Sequence, residues 1–151
     1  MSIEKLKDDI KASMKAKQKE VTTTLRGILA LSQSIAKNDK NREMVDDDLI
    51  IACTKSKKEG VEGIATYKHL TGPVAQDNYL RSVRLKDLAN NYLPIQMSEL
   101  ALTEAVTFAI EKLSGSSMKD MGKVMGYLTS NYAKGSYDAA LASKIVRSIL
   151  N

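Results

Sequence analysis

Residues 117–135 read SMKDMGKVMGYLTSNYAKG. Met118, Met121, Val124, Met125, Leu128 and Tyr132 recur at steps of three and four, so they fall on one face of a helix. Gly122 and Gly126 interrupt that helix; four apart, they predict a neighbouring helix approaching closely. Ser117 through Asp120 fits a capping box, with Asp120 where Glu is usual. Lys119 and Lys123, also four apart, share a helical face. The stretch leaves at Lys134-Gly135, where glycine can take a positive φ.

The surrounding segments repeat this pattern. Upstream, Leu102, Val106, Ile110 and Leu113 form one side of a helix that follows Ser98 and stops at Ser114-Gly115. Downstream, Leu141, Ile145, Val146 and Ile149 give a helix over about 138–150. Three helices in this C-terminal part make a minimal bundle, small for a core of its own.

Before Pro94 the spacing predicts four more helices. The first covers 3–18, with Ser2 as N-cap and Ile3, Leu6, Ile10 and Met14 as its apolar stripe. Its other face carries Lys5, Lys7, Lys11, Lys15 and Lys17, either a solvated face or a surface for phosphates. The second runs from about Glu20 to Lys37, and its Arg26 either meets a carboxylate or points to an RNA phosphate. The third opens on Asp46, Asp47 and Asp48, acids that suit the positive end of a helix dipole. A kink or frayed turn is expected at its Gly60 and Gly63. The fourth follows Pro73, with Val74, Leu80, Val83, Leu85, Leu88 and Tyr92 as a broad apolar face. It ends at Leu93-Pro94, because proline disfavours α geometry in the residue before it. The fold class is therefore all-α. A larger N-terminal helical domain (1–94) of about four helices precedes a small three-helix bundle (95–151).

Composition agrees. Of 151 residues, 43% are hydrophobic and 5% aromatic, which favours a Leu, Ile, Val, Met and Ala core. The net charge of +5 is mildly basic. Residues 1–97 hold a net of +4 and residues 98–151 a net of +1, so general attraction to nucleic acid would come from the larger part. One cysteine and one histidine exclude an intrachain disulfide and a Cys/His zinc site within one chain. The first residues lack the apolar core of a signal peptide, and no run approaches the ~20 apolar residues of a membrane span. The expected compartment is the cytoplasm.

No catalytic motif stands out. Phosphate loops, dinucleotide fingerprints, nucleophile elbows and metalloprotease signatures are all missing from the sequence. Cys53 and His69 fall on one predicted helix, roughly 24 Å apart at the α rise, too far for a dyad. Cys53 reads as a small buried hydrophobe.

Several stretches carry a family likeness: Tyr92-Leu93-Pro94, Gln96-Met97-Ser98, and the run Ser116-Ser117-Met118-Lys119-Asp120-Met121-Gly122-Lys123-Val124-Met125. With Thr24-Leu25-Arg26, they resemble the YqeY-like family. Its C-terminal domain is similar to the tail of the GatB component of the glutamine-dependent aspartyl/glutamyl-tRNA amidotransferase. The resemblance implies a helical N-terminal domain, a three-helix tail, and a tRNA-associated accessory role without catalysis by this chain alone. It also carries a family-level label of carbon–nitrogen ligase activity with glutamine as amide donor. The implied partners are tRNA or a protein of the aminoacyl-tRNA pathway, with no cofactor, metal or membrane. The alternative is a protein–protein adaptor. Carried over to this sequence, the RNA-facing set is Lys119, Lys123, Lys134 and Gly135, unless Gly135 is only a helix cap and the lysines are only solvated. Ser136 stands where the family usually has a basic residue. Tyr137 either stacks on a base or caps the bundle.

Overall fold

The protein is described by a computed structural model over residues 3–151, so the N-cap read for Ser2 lies outside the described residues. Among the described residues the fold is all-α, with no strand. The helices are α1 (Ile3–Lys15), α2 (Lys19–Asn38), α3 (Asp46–Tyr67), α4 (Pro73–Asn90), α5 (Glu99–Lys112), α6 (Met121–Asn131) and α7 (Ala139–Leu150). A 3₁₀ turn, Met118–Asp120, precedes α6. The chain divides into two compact units, the first ending at Leu93 and the second running Pro94–Asn151.

In the first unit Leu6 and Ile10 of α1, Leu25 and Ile28 of α2, Leu49, Ala52 and Cys53 of α3, and Ala89, Tyr92 and Leu93 around the end of α4 form one core. The Tyr92 hydroxyl donates to the Asp9 carboxylate, so the polar tip of a buried ring is satisfied. The three acids at the start of α3 divide their work. Asp46 Oδ1 accepts the Ile3 N–H at 2.9 Å, tying α1 to α3. Asp48 is fully buried. Its carboxylate receives the Arg42 guanidinium in a two-pronged bond (2.7 and 2.9 Å), and Oδ2 also accepts the Val45 N–H at 2.9 Å. It is thus both a helix cap and a buried ion pair.

α3 runs unbroken through Gly60 and Gly63, where a kink or frayed turn was expected. The two glycines are places where α4 lies against α3. A Cβ on Gly60 would stand 2.7 Å from the Lys86 nitrogen and from the Ser82 carbonyl oxygen, and one on Gly63 would stand 2.2 Å from Ser82 Oγ. Close packing thus offsets the poor helix propensity. The apolar face expected along all of α4 is buried only near its end. Val74 is 75% exposed and Leu80 47%. The core residues of α3 precede Gly60, so the far half of the α3–α4 hairpin contributes nothing to the shared core.

In the second unit Leu102, Val106, Ala109 and Ile110 of α5, Val124 and Leu128 of α6, and Ala142, Ile145 and Val146 of α7 make a separate core. Ser98 caps α5 by accepting the Ala101 N–H at 3.2 Å. Asp138 caps α7 by accepting from Ala140 N–H (2.8 Å) and Leu141 N–H (3.2 Å). Ile149, read as inward, is 41% exposed.

Candidate nucleic-acid interface

The Ser117 stretch folds differently at its start from the capping box expected. Ser117 makes no side-chain cap, and residues 118–120 form the 3₁₀ turn. Asp120 Oδ2 accepts the N–H of Ser116 at 3.2 Å. That backbone bond, with the Lys123 ammonium second, holds the Asp120 carboxyl below the usual carboxylate value. Lys119 therefore sits on the 3₁₀ turn and Lys123 in the first turn of α6 that follows it. Lys123 Nζ lies 3.1 Å from Asp120 Oδ1, so its charge is already engaged. Lys119 is exposed.

Lys134 is also exposed, on the turn between α6 and α7, next to Gly135 with φ +78°. Only glycine adopts that conformation freely. The turn is braced by the segment after Pro94: the Gln96 side-chain amide donates to the Gly135 carbonyl, and the Met97 N–H donates to the Ser136 carbonyl at 2.7 Å. Tyr137 meets Tyr132 edge to face, centroids 6.5 Å apart and planes at 81°, and both rings pack against the core. Tyr137 thus caps the bundle. The four carried-over residues fall into two groups, Lys119 with Lys123 around Asp120, and Lys134 with Gly135 on the braced turn.

Gly122 and Gly126 do not admit a neighbouring helix: a Cβ on either would meet nothing within 4 Å. Both lie on the outer side of α6, because Val124 and Leu128 turn inward.

A further surface feature escaped the sequence reading. Phe108, 53% exposed on α5, lies beside Lys112, whose ammonium is 5.8 Å from the Phe108 ring centroid and 5.5 Å from that of Tyr127. The available signal was the i, i+4 spacing of Phe108 and Lys112 on the face opposite Leu102, Val106 and Ile110.

Cys53 is buried, and desolvation pushes its thiol up to about 12, far from the thiolate that nucleophilic chemistry needs. No group of His, Cys, Asp or Glu among the described residues could hold a metal ion. No helix among them is long and apolar enough to cross a membrane.

A family model described as "Yqey-like protein" matches residues 3–150. The chain belongs to the YqeY-like family. The match takes in both units, in keeping with a resemblance that runs through essentially the whole sequence, of which the Ser116–Met125 run is the most specific part. No curated protein matches the chain.

Proposed function

We infer that this YqeY-like chain is a tRNA-associated accessory protein of aminoacyl-tRNA metabolism, without catalysis of its own. The observation that carries the reading is the braced turn at Lys134-Gly135, an exposed lysine beside a glycine held at positive φ. Glycine in that conformation can turn its own N–H to an anion, while the Ser136 N–H is taken by the Ala133 carbonyl; Lys134 and Lys119 add exposed cations. The buried Cys53, its thiol pushed up by desolvation, offers no nucleophile, and the ligase label with glutamine as amide donor comes to this chain by family membership.

Bulk tRNA in a mobility-shift titration across salt tests the reading. Binding is expected at low salt and falls steeply as salt rises, because each neutralised phosphate releases counterions. Lys119→Glu with Lys134→Glu weakens it, whereas Lys123→Gln changes little, since Asp120 already engages that charge. No binding at low salt, or binding indifferent to the double reversal, rejects RNA association through the tail.

A protein–protein adaptor is the second reading, favoured by Leu100 (71% exposed) and Phe108 on the outside of α5. Under it, partners captured by the chain survive nuclease treatment.

A further inference from the structure

Arg26 belongs to the Thr24-Leu25-Arg26 pattern that the tail does not explain. Its guanidinium donates to the Met14 sulfur at 3.2 Å. Among the described residues it has no carboxylate partner. A thioether is a weak acceptor for a fork built to bind oxyanions.

This guanidinium faces a concavity of about 410 Å³ at the α1–α2 turn. Lys17 and Lys19 also line it, and no lining residue is acidic. The acid next in sequence, Glu20, is drawn away by an ion pair with Arg84. Neither lysine is ion-paired among the described residues. The floor is polar and already satisfied: Ser13 and Thr22 hydroxyls lie 2.8 Å apart and bond to the carbonyls of Ile10 and Gln18.

The backbone positions one of the cations. Lys17, two residues past the end of α1, has φ +56°, with the Gln18 N–H bonded to the Ser13 carbonyl at 2.9 Å. That is the helix-end position glycine fills without strain. A lysine there keeps a long cationic side chain at a conformational cost. Lys40, Asn41 and Ser114 take positive φ as well, so the conformation serves here to place Lys17 rather than to mark it.

The geometry points to a phosphate-binding pocket formed by Lys17, Lys19 and Arg26. Three cations around a small, acid-free concavity match a dianionic phosphomonoester better than the single charge of a diester. The group can belong to a small phosphorylated molecule or to the 5′ end of an RNA. The site lies in the first unit and stands independently of the tail.

Amide chemical shifts of the full chain, followed during titration with inorganic phosphate, test the pocket against chloride at matched ionic strength. Saturable shifts are expected at Ser13, Lys17, Lys19 and Thr23. Arg26→Gln weakens the affinity about tenfold, the loss of a charge-assisted bond. Lys17→Gly lowers phosphate affinity while raising the melting temperature, a split that a merely structural lysine would not produce. Lys119→Glu with Lys134→Glu leaves these shifts unchanged, which separates this site from the tail. In a second arm, RNA carrying a 5′-phosphate binding more tightly than its 5′-hydroxyl twin, with the difference lost in Arg26→Gln, assigns the phosphate to an RNA end. Equal binding of the two RNAs alongside saturable phosphate shifts assigns it to a small ester. Shifts that chloride reproduces, or that survive both Arg26→Gln and Lys17→Gly, overturn the pocket.

Discussion

Asp48 and Arg42 form an unequal pair. The Asp48 side chain is 1% exposed and that of Arg42 37% exposed. Burial of the acid is tolerable because the guanidinium and the Val45 N–H occupy its oxygens. Their bonds also hold the Arg42 guanidinium well above its ordinary pKa, with the Asp48 side-chain bond the largest cause and the Asp39 bond next. The two partners should therefore fail differently. Arg42→Ala takes the guanidinium from a buried carboxylate and should be the more destabilising change of the two. Asp48→Ala leaves a guanidinium that water and Asp39 still reach, and the cost falls to about 2 kcal/mol. Urea unfolding of the two variants checks the order; equal losses would mean that the carboxylate finds water once Arg42 is gone.

The glycines belong to the scale of elements, and they sort by what lies opposite. Gly60→Ala places its Cβ against Lys86 and Ser82 backbone atoms, which cannot turn aside, so α3 and α4 must separate. Stability should fall by about 2 kcal/mol despite the better helix former. Gly126→Ala, on the open side of α6, should gain about 0.8–1 kcal/mol. Thermal melts of both variants read the opposite signs. The sequence foretold the reverse, a defect at Gly60 and a close packing contact at Gly126. Periodicity identifies a face, but it does not identify the neighbour that covers it. The same gap explains Val74 and Leu80, apolar residues in good register on a helix whose first half lies outside the shared core. What local chemistry dictates was legible: helix order and type, the stop at Leu93-Pro94, the Asp138 cap. The tail lysines were legible as residues, but their local setting was not. Lys119 sits on a 3₁₀ turn before α6, and Asp120 engages Lys123, both outcomes of hydrogen bonds that spacing does not encode.

At the scale of the whole molecule, pH acts on the first core through two groups. The first contains Cys53 and Tyr92, whose proton-bound forms burial favours; desolvation is the leading cause for both, and for Tyr92 the Asp9 hydrogen bond follows. A folded-state pKa above the unfolded value gives stability that is complete below the unfolded pKa and is lost as pH rises. For Cys53 that window opens near the ordinary 9.0 and closes at about 12. Denaturant midpoints measured across it should fall, and fall less in Cys53→Ala. An equal fall in the variant would assign the alkaline loss elsewhere. The second unit contains no cysteine, so Cys53 has one more consequence. The chain carries its own stopwatch: a thiol reagent added to the native protein registers each opening of the first core, with no label attached and no signal from the tail.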